Sequence, residues 1–300
     1  MNTSPTDRPT TEDDRSVTGS GGLRLAAQER NPGVAPTVLL VHGYPDTHTV
    51  WDLVADRLAV DHHVVTYDVR GAGASGIPPD RAGYAMAHLV ADLVAVADAV
   101  SPDEPVHLVG HDWGSVQSWA AVTDPVAAER IAGFTSISGP HLAHAGRWVR
   151  ERSREGPSGW GKLARQASRS WYVAAFQTPL APMLWRRGLG RRWPERMAQA
   201  GATVDDRWPG PTLTDDAARG VELYRANRAR AAGPAPYTDV AVQLVVPADD
   251  PFVTPALLDG IEAIAPDLTR LDVAGGHWLP RSHPAEVADW VATHVAAVTG

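Results

Sequence analysis

The chain has 300 residues, of which 44% are apolar and 21% charged, and its formal net charge is −8. This length and apolar content can bury the core of one large domain or two small ones, and they exclude a disordered chain. Because there is no cysteine, disulfides, thiol nucleophiles and thiolate metal sites are excluded. Residues 1–20 contain no apolar run, so we expect no cleavable signal peptide and a cytoplasmic protein.

The charge is unevenly distributed along the chain. Residues 141–200 hold 12 Lys or Arg against 3 acidic residues, although the whole chain is acidic, so we expect no nucleic-acid partner. Two interpretations of this basic region stay open: a solvated Arg-rich helical face, or a patch that attracts acidic ligands or anionic lipid. No stretch approaches the ~20 consecutive apolar residues of a membrane span, so no stable membrane insertion is expected.

The predicted elements alternate between strands and helices at both ends of the chain. Short β-branched runs predict strands at Thr37–Val41, His63–Tyr67, 106–109 and 131–136, with helices at 50–58, Met86–Val100 and Trp113–Val122 between them. After residue 140 the chain becomes rich in Arg, Trp and Ala, helical in period and nearly free of strand signal. The alternation resumes with strands at 240–246 and Leu268–Val273 and helices at 255–264 and 284–298.

This order predicts an α/β fold with a mostly parallel central sheet flanked by helices. We expect a disordered tail at residues 1–21, a core formed by residues 22–139 and 237–300, and an inserted helical cap at residues 140–236. A Gly-rich segment, Gly71-Ala-Gly73-Ala-Ser-Gly76, follows a strand but does not lead into a helix, so we expect no bound cofactor. His107 and His111 lie ~13 Å apart on an extended strand, too far to share one metal ion, and no metal is expected.

The sequence Gly110-His-Asp112-Trp-Gly114 stands between a predicted strand and a predicted helix. Gly-x-Asp-x-Gly is the nucleophile-elbow pattern, in which two glycines permit a strained turn that presents the central side chain. Here that side chain is a carboxylate, whose charge the helix N-terminus favours. Attack of a carboxylate on a carbonyl would give an unstable anhydride, so Asp112 as nucleophile implies a substrate with an electrophilic saturated carbon. The alternative role for Asp112 is a buried helix cap.

An ester formed on Asp112 would need an activated water for its hydrolysis. His277, in a Gly-Gly-His segment after the last predicted strand, is the predicted general base. Its orienting acid should follow the preceding strand, where two carboxylates compete; we predict Asp250 and keep Asp249 as the alternative. The order of nucleophile, acid and histidine is that of elbow-based hydrolases.

The oxyanion hole requires two backbone N–H groups. We predict that Trp113, which follows the elbow, and Tyr44, in His-Gly-Tyr-Pro after a strand, supply them. The His-Gly-Tyr-Pro and Gly-His-Asp-Trp-Gly segments and the Asp…His pair resemble the α/β-hydrolase superfamily and, within it, the epoxide hydrolases. The resemblance is strongest to the hydrolase half of bacterial proteins that join an epoxide hydrolase to a short-chain dehydrogenase. Because the chain stops at Gly300, we expect no dehydrogenase part.

The resemblance also implies two cap tyrosines that hold the epoxide oxygen. Tyr172, in a Tyr-x-x-x-Phe-Gln setting, matches the first, and Tyr224, in a Gly-x-x-x-Tyr-Arg setting, matches the second. A phenol of pKa ~10 stays protonated at neutral pH and can donate a hydrogen bond to the developing alkoxide. Either tyrosine alone would also be explained by packing within the cap.

The predicted function is hydrolysis of an epoxide to a vicinal diol through an aspartyl ester, with a small lipophilic epoxide and water as substrates. Two alternatives stay open: a haloalkane dehalogenase with the same nucleophile, and a non-catalytic ligand-binding protein of the same fold. Tyr44 counts against the dehalogenase, where Asn often stands. The cap tryptophans are predicted to line an apolar pocket; they are Trp148, Trp160, Trp171, Trp185 and Trp193. The natural epoxide, the selectivity and a homodimer are left open.

Overall fold

The computed structural model describes residues 12–233 and 236–300. Its sheet has eight strands in the order β1-β2-β4-β3-β5-β6-β7-β8. The pairs β1·β2 and β2·β4 are antiparallel, and all other neighbouring pairs are parallel. The strands are β1 (Glu12–Thr18), β2 (Arg24–Arg30), β3 (Thr37–Val41), β4 (His63–Tyr67), β5 (Val106–His111), β6 (Ile131–Ile137), β7 (Ala241–Pro247) and β8 (Leu268–Val273).

Helices cover both faces of this sheet, and a further group of helices separates β6 from β7. They are α1 (Asp52–Leu58), α2 (Met86–Val100), α3 (Trp113–Val122), α4 (Pro125–Ala128), α5 (Leu142–Arg154), α6 (Pro157–Arg169), α7 (Trp171–Phe176), α8 (Ala181–Leu184), α9 (Gly190–Gln199), α10 (Leu213–Ala226), α11 (Leu279–Ser282) and α12 (Pro284–Thr299). No helix in the described ranges is both long and apolar enough to cross a bilayer.

Strand β3 shows why the central strands have continuous apolar sequences. Val38 and Leu40 join an apolar cluster with α1 and α12, whereas Leu39 and Val41 join the cluster on the other face with α2 and α3. All four side chains are fully buried. Because successive residues of a strand face opposite sides, a sheet covered on both faces needs apolar residues at every position.

The disordered tail predicted for residues 1–21 is wrong where the structure describes it, and residues 1–11 lie outside the described residues. Strand β1 pairs residue by residue with β2, and Ser20–Gly22 form a 3₁₀ turn. The strand has a charged sequence: among residues 13–18, for which burial is described, Val17 alone is buried, and Arg15 forms an ion pair with Glu29 at 2.7 Å. An edge strand is held by backbone hydrogen bonds and commonly carries charge, so it lacks the apolar alternation used for prediction.

The helix predicted at residues 255–264 is also wrong. The chain forms two short 3₁₀ turns there, Pro255–Leu258 and Ile261–Ala263. They are separated because Asp259 has an extended backbone (φ −64°, ψ 130°) and Gly260 has φ +83°. A residue with positive φ cannot continue a right-handed helix.

Candidate active site

Four loops meet at one edge of the sheet. They follow β3, β5, β7 and β8, which run parallel, so their carboxyl ends lie together. In chain order these loops carry Tyr44, Asp112, Asp250 and His277. The helices between β6 and β7 reach the same edge, where the Tyr44 hydroxyl donates to the carbonyl oxygen of Ala217 on α10 at 2.8 Å.

The turn between β5 and α3 has the geometry of a nucleophile elbow. Asp112 adopts φ 52° and ψ −121°, which is strained for a residue with a Cβ. Both flanking glycines are required by close backbone approach: a Cβ at Gly114 would overlap the carbonyl oxygen of Val41, and one at Gly110 would lie 2.6 Å from the Cα of Ser115. The two glycines therefore allow the sheet and helix to meet with Asp112 at the turn.

The two carboxylate oxygens of Asp112 have different environments. Oδ1 accepts a hydrogen bond from the backbone N–H of Tyr44 at 2.8 Å, and the N–H of Trp113 also donates to this carboxylate. Oδ2 lies 3.6 Å from Nε2 of His277, and 14% of the Asp112 side chain is exposed. Burial raises the pKa of Asp112, and this effect exceeds the opposing effects of His277 and the two N–H groups. The structure thus brings the two predicted oxyanion donors onto the predicted nucleophile.

His277 joins two carboxylates. Its Nδ1 lies 2.9 Å from Oδ2 of Asp250, while its Nε2 faces Asp112. Asp250 is fully buried, and its Oδ1 accepts hydrogen bonds from the backbone N–H groups of Phe252 at 2.7 Å and Val253 at 3.0 Å. The alternative acid, Asp249, is exposed.

Charge pairing outweighs burial at this histidine. Burial lowers the pKa of His277, but the charge and hydrogen bond of Asp250, followed by the charges of Asp112 and Asp46, raise it from 6.5 to about 9. Burial likewise raises the pKa of Asp250, but His277 and the two backbone N–H donors bring it below its usual value. At neutral pH the free protein therefore holds an imidazolium between carboxylates.

Tyr172 on α7 and Tyr224 on α10 lie over this edge of the sheet, with ring centroids 5.9 Å apart. The ring of Tyr224 is 4.9 Å from Trp113, and that of Tyr172 is 5.6 Å from Phe252, which in turn is 4.9 Å from His277. Burial and the Asp112 charge are among the causes that raise the pKa of both phenols. Both phenols therefore stay protonated, next to the carboxylate.

The five cap tryptophans do not share one environment, so the prediction that all line an apolar pocket is wrong. Trp148 and Trp185 are fully buried, and Trp193 packs against Trp185 with ring centroids 4.8 Å apart. In contrast, Trp160 is 58% and Trp171 is 68% exposed. Both exposed residues lie on helices with few buried residues, Gly159 and Gln166 on α6 and Phe176 on α7, which composition alone does not reveal.

His111 is part of the site but was not assigned a role from the sequence. It is fully buried between the rings of Trp51 and His277, and its Nε2 donates to the backbone carbonyl of His277 at 2.9 Å. Burial, with a smaller effect of His277, lowers its pKa to about 3, so the ring is neutral. Its position before Asp112 in the elbow was the available signal. Among the described residues there is no cluster of three or more His, Cys, Asp or Glu that could hold a metal ion.

Asp46 was also missed by the sequence analysis. Its buried carboxylate accepts hydrogen bonds from the indole N–H of Trp208 at 3.0 Å and of Trp278 at 3.2 Å. Burial raises its pKa to about 7 against these two hydrogen bonds. Asp46 therefore ties the loop that carries Tyr44 to the loop that carries His277 and to the helical insertion.

A family model described as alpha/beta hydrolase fold matches residues 36–284, most of the chain. The chain belongs to the α/β-hydrolase fold family. The predicted fold class is thereby confirmed. A solved structure of this hydrolase fold, an epoxide hydrolase from Bacillus megaterium in complex with an inhibitor, is similar with a TM-score of 0.78 and 22% sequence identity, covering 95% of this chain and 100% of that one.

Curated relatives share more of the sequence of this α/β hydrolase. "Probable oxidoreductase EphD" of Mycobacterium tuberculosis (strain ATCC 25618 / H37Rv) is 38% identical over 283 residues, which is 91% of this chain and 48% of that protein. "Epoxide hydrolase" of Caballeronia sordidicola is 31% identical over 186 residues, 58% of this chain and 54% of that protein. The chain thus spans about half the length of these curated relatives.

Proposed function

We propose that this α/β hydrolase opens an epoxide to a vicinal diol through a covalent ester on Asp112, with the helices between β6 and β7 as its cap. One observation carries the proposal: a carboxylate on a nucleophile elbow accepts hydrogen bonds from two backbone N–H groups, has Oδ2 facing His277, and has two protonated phenols nearby. Two of the three similar proteins described above, those of Caballeronia sordidicola and Bacillus megaterium, are named epoxide hydrolases, which supports the same substrate class.

In the first step, Oδ2 of Asp112 attacks a ring carbon. Oδ2 is the suitable atom because Oδ1 is held by the N–H of Tyr44. The carbon–oxygen bond of the strained ring breaks, and the released alkoxide accepts a hydrogen bond and then a proton from Tyr172 or Tyr224. One such donor contributes on the order of 10²–10³ in rate, as for an oxyanion-hole donor.

In the second step, water attacks the carbonyl carbon of the ester and gives a proton to Nε2 of His277. The negative charge develops on Oδ1, which already accepts a hydrogen bond from the N–H of Tyr44, and the N–H of Trp113, which also donates to this carboxylate, is the second donor of the hole. When the bond to the alkoxide breaks, the alkoxide takes the proton from His277 and leaves as the diol. The carboxylic acid left at Asp112 returns a proton to the tyrosinate.

The charges around His277 link the two steps. Asp112 is one of the groups that raise the pKa of His277, and an ester has no charge. Formation of the ester therefore lowers the pKa of His277, so the imidazolium releases its Nε2 proton to solvent and becomes the neutral base that activates water. When hydrolysis restores the charge of Asp112, His277 takes up a proton from solvent again. Asp250 keeps its charge in both steps and holds Nδ1, so the proton-accepting nitrogen is Nε2.

His277→Gln tests the proposal, because this variant should form the ester and fail to hydrolyse it. Intact-mass measurement after incubation with a panel of epoxides and alkyl halides should show an added mass equal to that of the whole epoxide. The double variant Asp112→Asn/His277→Gln is the control and should show no adduct.

An alkyl halide adduct, with the mass of the halide less the hydrogen halide, and no epoxide adduct would replace this assignment with a dehalogenase. An adduct that also forms in the double variant would show that the nucleophile is a residue other than Asp112. If the unaltered protein turns over neither class of substrate and the variant forms no adduct, the protein is not a hydrolase of this type.

A further inference from the structure

Helices α7 and α8, together with Leu180 at the N-cap of α8, present apolar side chains to solvent. Trp171 is 68%, Leu180 57%, Leu184 56% and Val173 37% exposed. The two helices follow each other in the chain, and both pack against α10. We call these four residues the Trp171 patch. Large apolar side chains that are grouped on a surface mark interaction sites more often than isolated ones do.

The patch lies directly outside the candidate active site. On α7, Trp171 and Val173 face solvent, whereas Tyr172 and Phe176 face inward with ring centroids 5.4 Å apart. Phe176 also contacts the ring of Tyr224 at 5.0 Å. On α7, the patch residues and Tyr172, which is proposed to hold the substrate, therefore lie on different sides of the same helix.

Lys and Arg residues without an ion-pair partner among the described residues precede and follow the patch along the chain. Helix α6, which packs on α7, contributes Lys162 and Arg165, and the segment after α8 contributes Arg187, Arg191 and Arg192. All five are exposed, and none forms an ion pair with any residue that the structure describes. Since acidic residues are scarce in this region, the positive charge is uncompensated.

We propose that the Trp171 patch and its cations form a docking surface for an anionic phospholipid bilayer. Trp and Leu favour the boundary between headgroups and acyl chains, and Arg and Lys side chains reach the phosphates while their apolar stems stay in that boundary. The rest of the chain carries a net negative charge, which an anionic surface repels, so the molecule is oriented with this face toward the lipid. The contact is peripheral and needs no membrane-spanning helix.

The bilayer fits these features better than an acidic protein does. The apolar residues belong to two short consecutive helical segments, and long Lys and Arg side chains precede and follow them along the chain. A lipid surface has no fixed shape, so it can accommodate this arrangement without the complementary surface that a protein partner would need. Docking does not depend on the proposed chemistry, so it can be tested on the full chain without any substrate.

Flotation with vesicles is the first measurement. The protein should bind vesicles of equal parts phosphatidylglycerol and phosphatidylcholine at low salt, and should bind pure phosphatidylcholine vesicles at least tenfold more weakly. Raising the salt to 0.5 M should weaken binding, because exposed charges are screened. Arg187→Gln and Arg191→Gln should each weaken it roughly fivefold, as expected for one cation near an anionic surface.

Two matched double variants separate the patch from general charge effects. Trp171→Asp/Leu184→Asp places two acids in the patch, whereas Val60→Asp/Val126→Asp places two acids at apolar residues outside the cap that are more exposed than those of the patch. The first pair should reduce vesicle binding at least tenfold more than the second. Circular dichroism and thermal melting of all variants establish that the folded state is retained.

A site-specific probe locates the contact. Because the chain has no cysteine, a polarity-sensitive fluorophore can be attached to Thr178→Cys, between the apolar residues, or to Asp103→Cys, at the opposite edge of the sheet. Only the label at 178 should shift to the blue on adding anionic vesicles.

Three results would overturn the proposal. One is absence of binding to anionic vesicles, or equal losses in the two double variants. Another is binding to polyglutamate but not to vesicles, which would assign the surface to an acidic polypeptide. The last is a dimer that Trp171→Asp/Leu184→Asp dissociates without any vesicle binding, which would assign the patch to a second copy of the chain.

Discussion

Nδ1 of His277 lies 2.9 Å from Oδ2 of Asp250, and the neighbouring Asp249 takes no part in this contact. The difference follows from the turn after β7, where the N–H groups of Phe252 and Val253 bind the other oxygen of Asp250. Asp250 is thus held as an anion within a buried site, while Asp249 remains in solvent. These adjacent carboxylates form a natural matched pair for mutation.

Asp250→Asn should lower kcat for epoxide hydrolysis by on the order of 10³–10⁴, as loss of the orienting carboxylate does in other triads. Ester formation needs no base and should continue, so a pre-steady-state burst should appear with slow release of the diol. Asp249→Asn should keep kcat within twofold. Equal kcat in the two variants would contradict the assignment of Asp250.

The two phenols give a second prediction. Tyr172→Phe and Tyr224→Phe should each lower the rate of ester formation with epoxides by about 10²–10³, because the alkoxide loses a hydrogen-bond donor. Stopped-flow measurement of the first step gives this rate. Tyr237→Phe is the matched control, because that hydroxyl is exposed and bonded only to Asp239 among the described residues.

Alkyl halides serve as the test of specificity for these variants, since halide is a good leaving group that needs no proton. If both phenylalanine variants lose epoxide and halide reactions in the same proportion, the tyrosines act through packing and not through donation.

The stability of the fold should depend on the charge of His277. Its pKa is raised from 6.5 to about 9 by the carboxylates of Asp250 and Asp112, against burial. Because the folded-state pKa is the higher one, the stabilisation is complete below pH 6.5 and is lost as pH rises through about 9. Between pH 6.5 and 10 the free energy of unfolding should fall by roughly 3 kcal/mol more than in His277→Gln.

Urea unfolding at a series of pH values measures this difference. Parallel curves for the two proteins across that interval would show that His277 is not held as an imidazolium.

A pair of glycines tests the elbow. Gly114→Ala should destabilise the protein by several kcal/mol, since the added methyl group would overlap the carbonyl oxygen of Val41. Gly161→Ala, within α6, adds a methyl group that meets nothing within 4 Å and should stabilise the helix by about 0.5–1 kcal/mol. Thermal melting should show a lower melting temperature for Gly114→Ala and a higher one for Gly161→Ala. An unchanged melting temperature for Gly114→Ala would mean that the turn is less tightly packed than in this structure.

Most helices and strands of the core were predictable because the sequence features that define them lie within a few neighbouring residues. Strand β3 and helix α3 have the predicted bounds, since buried apolar runs and a glycine-flanked turn define them within a few residues. Strand β1 had no such signal, because its stability depends on pairing with β2 and residues 13–16 and 18 are exposed.

The site was predictable to the extent that its residues follow strands. Asp112 and His277 were identified from their turns, and the structure brings them to 3.6 Å. Asp250 was predicted with Asp249 as the alternative, and it is Asp250 that the turn after β7 places against His277. The link from Asp46 to Trp208 could not be found, because 162 residues separate the two and neither lies in a motif.

Parallel strands supply the reactive groups from distant parts of the chain, and this has a consequence during biosynthesis. The elbow leaves the ribosome well before β7 and β8, which are followed by Asp250 and His277. If the proposed ester mechanism holds, a nascent chain therefore exposes Asp112 before the groups that would release an ester from it. Any electrophile that alkylated this incomplete protein would remain attached until the last strand joined the sheet.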